Sequence, residues 1–434
     1  MYLDWLIVGG GIHGTFLSNY LLNRKGVERD KIAVLDNHRE PLANWLQQTD
    51  AVAMKYLRSP VEHNLDLGSQ ALRKWAHDEK IPDTELYSKF DRPSLRSFNS
   101  HSRALIERNQ LEELRVFGEA KIITRDKGKN QDRYLIKTEE REFLASNVII
   151  CTGQANKLAI PDWALDWTKT EKELRTSAEP NQTRHDHCQV MHLFDKRYQQ
   201  VSRDLKNKEI VIIGGGISGA QAALALAERQ PGKVVLLHRE PLQTYQFDAD
   251  PCWLSTRCLG LLRQARSPLH RRRIVEGARH KGSFPQDIAY QLQTAVKEGK
   301  LRCVLGQVES LDGDTKMLDR GKLKLTDGTH LPCHLVVLAT GFTESTGASD
   351  FVRNTMRALD LKETPCGIPH IDYYLRAAKG LFVSGPLAEL ELGPAARNIV
   401  GARIAAERIC QIGRSKKPHP KEYNYFFMAS RRIN

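Results

Sequence analysis

At 434 residues, with 41% hydrophobic and 27% charged composition, the chain is long enough for two buried cores and fits neither a disordered nor a membrane-embedded class. Its net charge of +13 reads first as basic surface faces, with an anionic substrate or partner ranked ahead of nucleic acid. The basic runs Arg271-Arg272-Arg273, Arg414 to Lys417 and Arg431-Arg432 come without a nucleic-acid recognition motif, so neither DNA nor RNA is expected.

The first element is an apolar strand at Trp5-Leu6-Ile7-Val8. It runs into Gly9-Gly10-Gly11-Ile12-His13-Gly14 and an amphipathic helix ending near Leu22. The glycines, His13 and Asn19 exclude a bilayer span for this stretch, and no signal peptide precedes it. A second strand, Lys31 to Leu35, ends at Asp36. Leu57-Arg58-Ser59-Pro60 with His63 forms a loop, and alternating stretches at Ala120–Ile123 and Arg133–Ile136 precede the apolar strand Asn147 to Cys151, which closes on Thr152-Gly153. The polar segment from Lys157 to Lys208 reads as a connection between domains.

The pattern then repeats. Glu209 to Ile213 leads into Gly214-Gly215-Gly216-Ile217-Ser218-Gly219, a helix through Ala227, and a strand Lys233 to Leu237 followed by His238-Arg239-Glu240. Alternating stretches at Arg302–Leu305 and Lys322–Leu325 accompany an Asp327-Gly328 hairpin turn. The strand Leu335 to Ala339 closes on Thr340-Gly341. A last strand, Leu381 to Ser384, reaches Gly385-Pro386, and Gly393-Pro394 opens a helical stretch from Ala395 to Ile412. The fold class expected is α/β, with two Rossmann-like three-layer domains, the second inserted into a discontinuous first. The boundaries drawn are 1–156, a connection at 157–206, 207–334, and a return to the first domain at 335–434. The eight cysteines show no CxxC and no metal spacing, so they read as buried thiols of a reducing, cytoplasmic compartment, and no metal is expected. The aromatic tail Tyr423, Tyr425, Phe426 and Phe427 reads as a packing segment, against the body or a second subunit.

Each Gly-x-Gly-x-x-Gly turn sits between a strand and a helix, which is the context that gives the motif meaning. The backbone can approach a pyrophosphate there, and the helix N-terminus presents free N–H groups to it. Gly9, Gly11 and Gly14 take these roles in the first copy, and Gly214, Gly216 and Gly219 in the second. Asp36 stands where an acid binds a ribose hydroxyl, which suits FAD or NAD. His238 and Arg239 at the equivalent place suit the 2′-phosphate of NADPH, with Glu240 as a ribose ligand being the alternative.

These paired turns with repeated Thr-Gly strand ends resemble the two-dinucleotide-binding-domain flavoproteins. Val190-Met191-His192-Leu193-Phe194 and Ala339-Thr340-Gly341-Phe342 are similar to fingerprints of the flavin monooxygenase branch, both its lysine/ornithine N-hydroxylases and its flavin-containing monooxygenases. The glycine and serine of the latter's linker fingerprint are missing around His192. Gly385 is followed by Pro386 rather than by the Asp of the disulfide-reductase branch, and no redox dithiol spacing is evident. The resemblance implies FAD and NADPH as cofactors and oxygen transfer from O2 to an amine or sulfur of a small molecule through a flavin C4a-hydroperoxide. It also implies cofactor contacts at Thr152, Gly153, Thr340, Gly341, Gly385 and Gly393. Arg58, His63 and Asn398 are the catalytic candidates beside the flavin, with Arg397 adding hydrogen bonds. An NADPH-driven reductase serving a separate acceptor and a non-catalytic cofactor-binding protein are the alternatives.

Overall fold

The computed structural model describes residues 2–87, 90–126, 133–153, 158–168, 188–312, 321–343 and 349–411. The aromatic and basic tail singled out above lies outside them. Two sheets organise the chain. The first runs in the spatial order Arg376–Ala378, Leu381–Val383, Glu142–Ile150, Tyr2–Val8, Ile32–Asp36, Arg115–Phe117. The second runs Leu301–Leu305, Val234–His238, Ile210–Ile213, Leu335–Leu338, Gln189–His192, with every pairing parallel.

The inner strands are continuous runs of Ile, Val and Leu because both faces of a parallel sheet are covered. Ile32 to Leu35 and Val234 to Leu237 are buried throughout. In both sheets the strand before the glycine turn is central, flanked by the strand after the helix and by the strand that ends in Thr-Gly. Val8 is level with Leu35 and Ile150, as Ile213 is with Leu237 and Leu338. The internal repeat is therefore a repeat of topology and register, and the two-Rossmann α/β class holds.

Small antiparallel excursions fill the same place in each half. Ile122–Asp126 pairs with Arg133–Lys137, which pairs with Glu142–Ile150. In the second half Val308–Asp312, Gly321–Leu325 and His330–Cys333 form a three-stranded sheet. Gly328 takes a φ of +84° in the turn, and Asp327 accepts from the Thr329 backbone N–H. The stretch Arg302–Leu305, expected beside this hairpin, instead joins the parallel sheet as its edge strand.

Three boundaries move. Leu335–Leu338 belongs to the second sheet, so the return to the first sheet falls after that strand and not at residue 335. Gln189–His192, expected in the connection, is also a strand of the second sheet. The last helix starts at Ile399 and ends at Cys410, whereas Gly393–Arg397 is a separate 3-10 turn. The break has a local cause: Asn398 is extended, with φ −95° and ψ 169°, and makes the helix N-cap. That helix is buried on nearly every side and packs on Ile12–Asn23, placing Ala402, Ala405 and Ala406 against the core around Phe16, Leu17 and Leu21. Small residues permit this close approach, and each large side chain so buried contributes on the order of 1.5–3 kcal/mol. Among the described residues no helix is long and apolar enough to cross a membrane.

One cysteine expectation is corrected. Cys252 and Cys258 are joined in a disulfide with their Cα atoms 5.5 Å apart. The spacing of six matches no redox or metal signature, which is why the sequence offered no hint. The other six are free, five of them buried, as a set of core thiols should be.

Candidate dinucleotide sites and the interdomain cleft

The two glycine turns share one geometry. Gly9 has φ +108° and Gly214 +139°, a region that disfavours any side chain. A Cβ on Gly14 would stand 1.9 Å from the Gly9 carbonyl oxygen, and one on Gly219 2.0 Å from that of Gly214. The third glycine of each motif thus lets the helix lie against its own turn. Gly11 and Gly216 cap the helices Ile12–Asn23 and Ile217–Arg229 in extended conformations. Neither N-terminus carries a side-chain cap bond or an acidic first turn. A helix of this length with open N–H groups and no competing carboxylate is suited to a pyrophosphate.

The turns differ at the ends of the neighbouring strands. Asp36 accepts hydrogen bonds from the backbone N–H groups of Gly10 and His38, with the His38 ring at 3.1 Å. Arg115, which sequence reasoning passed over, lies 3.7 Å from Asp36 and donates to the carbonyls of His38, Arg39 and Glu40. Its burial pushes its pKa down. In the second copy His238 is buried beneath the turn, where a Cβ on Gly215 would meet it at 3.0 Å, and its Nδ1 lies 2.9 Å from the Glu240 carbonyl. His238 is thereby a support of the turn, while Arg239 projects into solvent. A carboxylate closes one site and an exposed guanidinium edges the other.

The strand ends flank these turns. Gly153 and Gly341 have φ of +74° and +76°. The Thr340 hydroxyl donates to the Ala159 carbonyl, and Ala159 N–H donates to Gly341, so this Thr-Gly also ties the connecting segment to the second sheet. Phe342 stacks on Phe194 at 5.4 Å, with His192 against both rings.

At the first turn the structure assembles a group of which the sequence marked only Asn398 as a site residue. His13, the residue before Gly14, places Nδ1 2.8 Å from the Ser384 hydroxyl, one residue before Gly385. Burial lowers its pKa to about 4, partly opposed by a hydrogen bond to the backbone of Asn398. His13, Ser384 and Asn398 thus join the first glycine turn, the closing strand and the last helix. A titratable residue inside the motif was the signal available.

The catalytic candidates do not converge as expected. Arg58 is a clasp between domains: it donates to the carbonyls of Tyr245, Gln246, Phe247 and Ser283 and to the Ser283 hydroxyl. Burial pushes its pKa down to about 10. With its guanidinium engaged on backbone oxygens, it is not positioned to hold a substrate. His63 is buried toward the last helix, its pKa lowered to about 4 by desolvation and then by the charge of Arg403. Asn398 donates to Asp248 across the cleft at 3.2 Å.

A cluster of arginines surrounds the turn that carries Gly393. Glu389, 1% exposed, receives Arg272, Arg397 and Arg279, and Glu391 receives Arg271. Two members of the basic run, Arg271 and Arg272, are therefore interdomain ion pairs, and only Arg273 of that run is exposed. Trp253, held between the two disulfide cysteines in sequence, would touch a Cβ on Gly393 at 2.9 Å.

Four histidines, His13, His63, His101 and His192, have pKa values lowered from 6.5 to about 4, with burial the largest cause. Each is neutral when folded and binds a proton more readily when unfolded, so its contribution is complete above pH 6.5 and is lost as pH falls toward 4. Urea unfolding is expected to show stability falling between pH 6.5 and 5, above the range where ordinary carboxylates titrate. A flat profile there would mean that these rings are not buried neutral.

A search of the curated proteins finds no match to this sequence. Solved structures similar in fold include a Kutzneria ornithine N-hydroxylase described with reduced FAD, NADP+ and L-ornithine, at 14% identity and TM-score 0.69 over 95% of this chain and 98% of that one. An L-lysine 6-monooxygenase from Pseudomonas syringae is similar at 16% identity and TM-score 0.68 over 94% and 98%. The bacillithiol disulfide reductase Bdr from Bacillus cereus is similar at 15% identity and TM-score 0.54 over 95% and 98%. The sequence itself matches the profile of pyridine nucleotide-disulphide oxidoreductases from residue 3 to residue 400, a span that takes in both glycine turns and the closing strand. With its duplicated sheet and its paired turns, the chain belongs to the pyridine nucleotide-disulphide oxidoreductase family.

Proposed function

We propose that this protein is an FAD- and NADPH-dependent monooxygenase that uses O2 to oxygenate an amine or sulfur of a small molecule in the cytoplasm. The observation that carries the reading is the pairing of two uncapped glycine-turn helices with opposite charges at their ribose ends, Asp36 in one and Arg239 in the other. The ornithine and lysine hydroxylases among the similar folds support the choice of oxygenation.

The residues present fit the two cofactors. Gly11 would leave room for the FAD pyrophosphate at the turn that Gly9 and Gly14 allow to close, and Asp36 would meet its adenosine ribose. Gly214, Gly216 and Gly219 do the same for NADPH, with Arg239 beside the 2′-phosphate. FAD held there supplies hydride acceptance and the reaction with O2. The chain's own work is orientation. His13, neutral at working pH, and Ser384 fix the floor beside the first turn. Asn398 sets the start of the last helix, whose N-terminal N–H groups favour negative charge in front of it. The Arg58 clasp and the ion pairs of Glu389 and Glu391 keep the two nucleotide sites facing one cleft.

Anaerobic mixing with NADPH is expected to bleach the oxidised flavin band rapidly, and NADH much more slowly. Yellow protein that neither nucleotide bleaches would overturn the proposal. Replacing Arg239 by alanine should raise the KM for NADPH roughly tenfold, the value of one charge-assisted bond, and leave NADH unchanged. A second reading, electron delivery to a separate acceptor, is favoured by the Cys252–Cys258 pair beside the Gly393 turn. It predicts turnover with artificial acceptors in the absence of O2.

A further inference from the structure

The helices Thr256–Gln264 and Pro268–Gly277 form a hairpin on the second domain. Their connection, the 364–371 segment and the turn around Leu387–Glu391 enclose a cleft of about 280 Å3. It shares no lining residue with either glycine turn. Its wall is apolar: Ile368, Leu387 and Leu390 line it and are themselves almost wholly buried. Its rim carries the guanidinium of Arg266 and the imidazole of His370, with Arg271 behind them paired to Glu391.

The one acid lining the cleft, Glu391, is neutralised by Arg271. Thr364 turns its hydroxyl to the Ile368 carbonyl, and Ser267 accepts from the His270 backbone N–H. Arg266 and His370 are exposed, and among the described residues their side chains make no hydrogen bond. The surrounding surface has the same sign. Arg257, Arg263 and Arg273 are exposed on the hairpin, against Glu276 as its one acid.

We propose that this cleft is a binding site for a small organic carboxylate with an apolar body. The carboxylate meets Arg266 at the rim, where a guanidinium offers two parallel donors, and the hydrocarbon lies against Ile368, Leu387 and Leu390. The basic hairpin raises the local concentration of anions and speeds their arrival. The site is distinct from the nucleotide sites, so it stands whether or not the monooxygenase reading does.

The test is calorimetric titration of the full-length, flavin-containing protein with hexanoate, hexylamine and hexanol at low ionic strength. Hexanoate should bind, hexanol more weakly, and hexylamine not at all, with saturating NADP+ making no difference. Replacing the exposed Arg266 by alanine should weaken hexanoate binding roughly tenfold, and Arg266→Glu should abolish it. Ile368→Phe, which fills the cleft, should weaken hexanoate and hexanol alike. Equal binding of hexanoate and hexylamine, competition by NADP+, or an Arg266→Ala protein that binds hexanoate like the wild type would each overturn the proposal.

Discussion

The Gly11→Ala protein is expected to fold with wild-type stability and to purify colourless. A Cβ on Gly11 meets nothing within 4 Å, and its φ of −76° is one that alanine adopts freely. The fold therefore has no objection to the methyl group. A pyrophosphate lying against that backbone does, since the extra carbon displaces it from the N–H groups of the helix Ile12–Asn23. An overpacking cost of about 1–3 kcal/mol corresponds to a roughly five- to 150-fold loss of FAD affinity.

Gly216→Ala is the matched experiment in the second half. Its Cβ would meet only the backbone of Gly282, no nearer than 3.5 Å, an ordinary contact. That protein should stay yellow yet lose bleaching by NADPH. Gly14→Ala and Gly219→Ala serve as contrasts, because there the methyl group strikes a backbone oxygen within the fold itself and stability should fall as well. Thermal unfolding and the ratio of flavin to protein absorbance separate the two classes. A Gly11→Ala protein that retains full flavin would mean that the first turn does not hold the pyrophosphate.

What made these turns legible is that every part of them is local. Strand, glycines, helix and the following acid occupy less than forty consecutive residues, and apolar runs bounded by glycine carry their own meaning. The duplication added the topology, since two copies of one order imply two sheets of one design. The parts that escaped are those whose partners are remote. Arg272 reads as surface charge until Glu389, 117 residues later, is brought beneath it. Arg58 looked like a catalytic candidate beside the flavin because its carbonyl partners lie 187 to 225 residues away. The start of the last helix was missed for another reason. Gly393-Pro394 is a sound opening for a helix, yet the chain uses it for a 3-10 turn and begins again after Asn398.

Replacing Arg92 by alanine is expected to destabilise the protein by about 3–5 kcal/mol, the cost of leaving a buried charge without its partner. Arg92 is 1% exposed and its Nη1 lies 2.8 Å from Asp287, at the start of the helix Gln286–Lys297 in the second half of the chain. Its Nε donates to the Leu57 carbonyl at 2.7 Å, immediately before Arg58. The pair and the Arg58 clasp therefore hold the same loop to the second domain from two sides. Removing the guanidinium strands the Asp287 carboxylate, whose side chain is 9% exposed, and frees the loop. The double variant Arg92→Met, Asp287→Leu should recover most of the stability, because neither charge then remains to be solvated. It should not recover the interdomain rate. With the Leu57 carbonyl and Arg58 released from their anchor, the flavin should bind normally while its reduction by NADPH slows, a separation that a purely structural ion pair would not produce. A loss under about 1 kcal/mol in the single variant, the range of an exposed pair, would show that the two charges do not meet in a buried contact.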